Sequence, residues 1–175
     1  VTRDIGGSHM CGVLFSALTK YMHPKTDRGI NNSAEVLYRI GEKAKTAEIA
    51  LGIEVVNRYE TNLINTGAEA MEMLKLIGSD NVFVHLDSYH MNIEESGLGN
   101  AIMGCAERLG YFHIGESHRG YLGTGNIDFR DIFKALANIG YTGPITFESF
   151  SSEIVSPDLS NILGIWRNLW EDSYD

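Results

Sequence analysis

The chain is poor in cysteine, poor in positive charge and free of long apolar runs, and each shortage removes a class of protein. Its 2 cysteines, Cys11 and Cys105, are far apart and form no CxxC pair. Neither a disulfide framework nor a cysteine metal site is indicated, and reduced intracellular thiols are the default. The 14 Lys and Arg are outnumbered by 23 Asp and Glu, a formal net charge of −9. A nucleic-acid binder carries a basic face, so that class is disfavoured, while a neutral substrate is not. No run approaches the roughly 18 apolar residues of a membrane span. No signal peptide is visible, and a cytoplasmic protein with no membrane partner is expected. The first residue is Val1 rather than Met, so it need not be the natural start. Gly7-Ser8-His9-Met10 matches a common expression-vector scar, and His9 is therefore given no function.

What is present suits a soluble globular protein: 175 residues, 43% hydrophobic and 21% charged, enough for one domain with a substantial core. Residues 1–175 read as a single domain, with no linker or low-complexity tract. From Asn31 a helix-then-strand unit repeats. Asn32 with Glu35 has capping-box spacing and opens a helix to about Ile49. Thr66 with Glu69 opens a second, with Ala70, Met73, Leu74 and Ile77 on one face and Gly78 as its stop. Asn92 with Glu95 opens a third, ending by Gly110, and Asp128 with Asp131 opens a fourth, stopped by Gly140. A last helix carries Leu159 through Leu169, and its Trp166 and Trp170 read as core or interface packing. The strands between are Leu51–Val56, Val82–Leu86, Tyr111–Ile114 and Ile145–Phe147. The stretch around Asp4–Gly7 is a candidate fifth. Alternating elements imply a parallel sheet with helices outside. Four or five strands leave two forms open, part of a (β/α)8 barrel of typically ~250 residues or a smaller α/β sheet.

Each clear strand leads to a residue able to bind a metal: Glu54, Asp87, His113 and Glu148. They are separated by 33, 26 and 35 positions, one βα repeat each. Chemistry in such sheets collects at the carboxyl ends of the strands, and a carboxylate buried there needs a partner. Three oxygen donors and one nitrogen suit Mn²⁺, Mg²⁺ or Co²⁺ better than structural zinc. The plain alternative is four unrelated polar residues facing solvent. Glu60 lies six residues beyond Glu54, His90 just past Asp87, and Arg119 six beyond His113, each placed to meet a ligand above the strands. A solvated loop charge, a helix-entry histidine and a surface ion pair are their plain readings. Gly123-Thr124-Gly125 reads as loop geometry. His85, inside an apolar run, reads as a core histidine.

These residues bring the chain to a known family. It resembles the ketose 3-epimerases, the D-tagatose and D-psicose 3-epimerase group of the xylose-isomerase-like TIM barrels. The matching segments are Ile53-Glu54-Val55-Val56-Asn57-Arg58-Tyr59-Glu60, the long Leu86-Asp87-Ser88-Tyr89-His90-Met91-Asn92-Ile93-Glu94-Glu95, Phe112-His113-Ile114-Gly115-Glu116 with Arg119, and Thr146-Phe147-Glu148-Ser149-Phe150. The resemblance implies a (β/α)8 barrel of which this chain holds about strands 4 to 8. It implies Mn²⁺, or Co²⁺ or Mg²⁺, on Glu54, Asp87, His113 and Glu148. Glu54 and Glu148 would invert C3 of a free ketose through an enediolate. Glu60, His90 and Arg119 would contact the sugar, and whole barrels would assemble as homodimers or homotetramers. The rival expectations are another metal-dependent sugar isomerase or an inosose dehydratase of the same superfamily, or a silent fragment that keeps its metal site. An endonuclease of the same barrel type would need a basic face, which 6 His and a net charge of −9 do not provide.

Overall fold

A computed structural model of the chain describes residues 1–170. Five short runs form one sheet: β1 (His9–Gly12), β2 (Ala50–Glu54), β3 (Val82–Asp87), β4 (Leu109–Ile114) and β5 (Ile145–Phe147). Each pairs in parallel with the next in sequence, in the order β1-β2-β3-β4-β5. A doubly wound sheet reverses its order at a switch point, whereas a barrel wall runs sequentially, as here.

The helices are α1 (Asp27–Thr46), α2 (Gly67–Ile77), α3 (Ser88–Glu94), α4 (Leu98–Gly104), α5 (Phe129–Asn138) and α6 (Pro157–Leu163). One sheet face presents Leu51, Ile53, Val82, Val84, Leu86 and Phe112 to a core shared with Leu37 of α1, Ala70, Met73 and Ile77 of α2, and Ile132 of α5. Side chains alternate along a strand, so the other face carries Glu54, Phe83, His85, Asp87, Tyr111 and His113. Two glycines shape that face. A Cβ at Gly52 or Gly110 would run into the Phe83 ring, so the absence of one on each neighbouring strand makes room for it. Among the described residues no helix is long and apolar enough to cross a membrane.

Several boundaries differ from the sequence expectation. The turn at Arg3–Ile5 is 3-10 helix, and the N-terminal strand begins later, at His9, inside Gly7–Met10. Helix α1 starts at Asp27, where Thr26 accepts the Gly29 N–H at 3.1 Å, so the Asn32–Glu35 spacing caps nothing. Packing of Ala34, Leu37 and Gly41 carries the helix through the weak formers Gly29, Asn31 and Asn32. The third expected helix is two. Asp87 ends β3 and caps α3 at once by accepting the Tyr89 N–H at 2.8 Å. Glu95 makes no box there, and instead accepts the Gly67 N–H at 2.7 Å at the start of α2. The Thr66–Glu69 box and the Gly78 stop are present as expected. Helix α6 ends at Gly164 in the left-handed region (φ 68), so Trp166 lies beyond it and is 78% exposed rather than packed.

Candidate active site

The carboxyl ends of β2, β3, β4 and β5 each deliver one donor to a common point. Glu54 closes β2, Asp87 closes β3, His113 is the penultimate residue of β4, and Glu148 follows β5. Register sets Asp87 beside His113 and Glu54 beside His85. One donor atom from each of Glu54, Asp87, His113 and Glu148 lies within 4.8 Å of the others, a group able to hold a metal ion. His113 Nδ1 stands 3.7 Å from Glu54 Oε1 and 3.5 Å from Glu148 Oε2. The cluster borders a cavity of about 430 Å³ lined by Glu54, Glu60, Tyr89, His90, Arg119 and Glu148, together with the apolar Val13, Leu18, Phe150 and Trp166.

Arg119 bridges the acids. Its Nη1 donates to Asp87 Oδ2 at 2.9 Å and makes an ion-pair contact of 2.8 Å with Glu148 Oε2 that lacks hydrogen-bond alignment. Its guanidinium lies 3.9 Å over the Tyr89 ring. Its backbone is left-handed (φ 63), and Gly115 leaves the space its Nη1 occupies. The loop that carries it is organised by Glu116, a fully buried carboxylate that accepts the N–H groups of Ser117 at 2.8 Å, Gly123 at 2.9 Å and Ile127 at 3.3 Å. Burial alone would raise Glu116, but these backbone donors, with that of Gly125, hold it below the ordinary range.

His90 is buried, and each of its ring nitrogens faces a donor. Nδ1 accepts the Asn57 backbone N–H at 3.2 Å, and Nε2 is approached by the Arg119 guanidinium, which can only donate. That Nε2 faces Asp87 Oδ2 at 3.7 Å, Glu60 Oε2 at 4.0 Å and Arg119 Nη2 at 3.4 Å. Burial and then the Arg119 charge lower its pKa to about 3, so the ring is neutral. Glu60 accepts from Asn57 Nδ2 at 3.0 Å, and its carboxyl is raised by burial.

The cluster is electrostatically strained without a cation. Burial, only partly offset by Arg119, pushes Asp87 up to about 7, and the hydrogen-bonded Glu148 carboxyl beside it adds to the rise. Burial also pushes Glu148 up, but His113 and Arg119 outweigh it and hold that carboxyl below the ordinary range. Burial opposes charge on His113, yet Glu148 and Glu54 raise its imidazole to about 9. Protons and Arg119 thus stand in for a cation. His113 Nδ1 and Glu148 Oε2 are buried with no hydrogen-bond partner among the described residues, as ion-facing donors would be. The residues therefore fit a divalent ion.

All seven residues singled out from sequence meet here, and four more belong with them. Asn57, Tyr89 and Glu116 hold His90 and Arg119 in place. His85, read from sequence as a core histidine, is buried but touches the cluster: its ring lies 4.2 Å from that of His113. The available signal was its position two before Asp87, on the same strand face. Glu116 closes one of the matching segments, but its spacing and residue type gave no sign that it gathers backbone amides.

Residues 2–172 match the family model described as xylose isomerase-like TIM barrel. The chain belongs to that family. It is 54% identical over 173 residues to a ketose 3-epimerase of Arthrobacter globiformis, covering 99% of this chain and 60% of that protein. It is 55% identical over 171 residues to an L-ribulose 3-epimerase of Methylomonas sp. (strain DH-1), covering 98% and 60%. The crystal structure of D-allulose 3-epimerase from Methylomonas sp. in complex with D-allulose superposes with a TM-score of 0.95 at 54% identity, again over 98% and 60%. The chain thus spans about 60% of the length of these members of the xylose isomerase-like family.

Proposed function

We propose that this chain carries the metal site and the proton-transfer groups of a ketose 3-epimerase, as roughly strands 4 to 8 of a (β/α)8 barrel. Its substrate is a free ketose of the D-allulose, D-fructose or D-tagatose type. The observation that carries the reading is the meeting of Glu54, Asp87, His113 and Glu148 within 4.8 Å, with Glu54 and Glu148 lining a cavity, in a chain about half identical to named 3-epimerases.

Three oxygens and one nitrogen suit Mn²⁺, with Co²⁺ or Mg²⁺ as substitutes. When bound, the ion supplies positive charge that stabilises the enediolate formed by removing a proton beside a ketone. The protein supplies the proton transfers. Glu54 on β2 and Glu148 after β5 have two strands between them, so they approach a sugar from different sides. One takes the C3 proton, the other returns a proton to the opposite face, and the roles exchange in reverse. Glu148, held ionised by His113 and Arg119, is ready to accept. His90 and Arg119 hold an oxygen near C2, and Glu60 accepts from a hydroxyl at the far end. Whole barrels pair as homodimers or homotetramers.

The test is incubation of the protein with D-allulose and Mn²⁺ in deuterated water, followed by NMR. Inversion with deuterium at C3 alone is expected. Exchange confined to another carbon would assign a different isomerase, and no exchange despite bound Mn²⁺ would overturn the reading for this chain.

A further inference from the structure

His85 takes no part in the chemistry proposed above, yet it is built into the same cluster. On β3 it faces the same side as Asp87, one pleat nearer the start of the strand. It sits in register with Glu54 across β2. Its side chain is 1% exposed, and neither ring nitrogen has a hydrogen-bond partner among the described residues. Buried polar atoms are as a rule paired, so this ring calls for an occupant. The rings of Tyr111 and His113 wall it edge-on, at 4.8 Å and 4.2 Å. Glu54 turns one oxygen to each imidazole: Oε2 lies 3.9 Å from His85 Nδ1, and Oε1 lies 3.7 Å from His113 Nδ1.

One donor atom each from Glu54, His85 and His113 lies within 4.8 Å of the other two. Two metal–ligand bonds of about 2 Å span at most about 4 Å between donors, and the two Glu54–imidazole separations of 3.9 Å and 3.7 Å fall inside that limit. We propose that Glu54, His85 and His113 form a second cation position, one layer deeper in the barrel than the first, which takes a borderline ion such as Zn²⁺. Two imidazoles and one carboxylate favour such an ion, whereas the oxygen-rich set above favours a hard one. The inference rests on the cation reading of the upper cluster, because Glu54 and His113 belong to both positions. Sharing them makes the two positions competitive. Mn²⁺ settles high, beside Asp87 and Glu148, and Zn²⁺ settles low, drawing Glu54 away from the substrate. His85 then decides which ion the protein holds and where.

Calorimetry on the metal-stripped chain, with Mn²⁺ and Zn²⁺ titrated separately, tests this on wild type, His85→Phe and His85→Asn. Phe fills the ring's space without a donor, and Asn guards against loss of fold through loss of polarity. Both variants are expected to bind Zn²⁺ at least ~10-fold more weakly, the scale of a disturbed metal shell, with Mn²⁺ binding within about 3-fold of wild type. X-ray absorption of the Zn²⁺ form should count two imidazoles. Unchanged Zn²⁺ affinity in both variants would show that His85 meets only water. Equal weakening of both ions would make it a mere support for His113. Either result overturns the deeper position while leaving the upper one standing. Failure of wild type to bind Mn²⁺ overturns the upper one, and the deeper position with it.

Discussion

Asp87 spends both oxygens on protein donors, the Tyr89 N–H and Arg119 Nη1, and still presses against Glu148. A residue so placed makes stability depend on pH whenever no cation is bound. Asp87 at about 7 and His113 at about 9 keep protons in the folded chain that the unfolded chain releases at 3.8 and 6.5. Their contribution is complete below the unfolded values and is lost as pH climbs through the folded ones. His85, lowered to about 2 chiefly by burial, and His90, at about 3, act the other way. Unfolding lets both take up protons below 6.5, so acid destabilises. Between the carboxylate range and 6.5 the two histidines outweigh Asp87. The chelated protein should therefore be most stable near pH 6.5 and melt lower toward pH 9, while Mn²⁺ flattens the alkaline side. Melting curves with and without EDTA check this, and a chelated Tm that climbs on the alkaline side would contradict it. Glu148→Gln, in a complete barrel, should keep the fold and lose at least ~10²-fold in turnover. Arg119→Ala should raise KM more than it lowers kcat. Steady-state kinetics of both variants decide, and near-wild-type turnover in Glu148→Gln removes it as an acid or base.

Between β4 and α5 the chain forms a loop held by one buried charge. Glu116 gathers the amides of Ser117, Gly123 and Ile127, and Phe150 donates its N–H to the Arg119 carbonyl at 3.1 Å from the segment after β5. The loop thereby fixes Arg119 in a left-handed conformation that a free loop would leave. Hydrogen bonds to a charged group contribute about 1.5–3 kcal/mol each. Glu116→Gln keeps the shape but removes the charge, and should speed amide hydrogen exchange at residues 117, 123 and 127 while the core strands stay protected. Unchanged protection at those three amides would mean the carboxylate does not hold the loop. At α2 the reciprocal bonds of Thr66 and Glu69 satisfy two N-terminal donors. Thr66→Ala should cost about 1 kcal/mol in urea denaturation.

At the scale of the molecule the sheet has two edges. Among the described residues β1 pairs only with β2, and β5 only with β4. On β5, Ile145 and Phe147 are 42% and 47% exposed, although apolar strand residues of a barrel are normally covered. Unpaired N–H and C=O groups beside exposed apolar side chains favour association. The 175-residue chain should therefore gain mass with concentration in light scattering, by pairing with a second copy or with the rest of a barrel. A monodisperse monomer that unfolds cooperatively and binds no apolar dye would count against the open-sheet reading.

The sequence alone determined the alternation of elements, because burial on a parallel sheet needs short apolar runs and packing helices need a 3.6-residue stripe. It also located the four donors, because a strand's polar end residue follows directly from where its apolar run stops. The box at Thr66–Glu69 and the stop at Gly78 were legible for the same local reason: their partners lie within four residues. Whatever depends on distant partners was not. Glu95 has box spacing from Asn92 yet bonds the Gly67 N–H, 28 residues away. Asn32 and Glu35 have the same spacing inside a helix whose start was decided by Thr26 and by packing against the sheet. Trp166 carries helical spacing to Trp170 but falls beyond a helix that Gly164 ends. His85 looked like core because burial and a neighbouring carboxylate are indistinguishable in one strand. Only β2 in register beside it brought Glu54 to its ring. Local chemistry is written along the chain, but the pairing of a buried charge is a property of strands brought together, and only the tertiary structure could supply it.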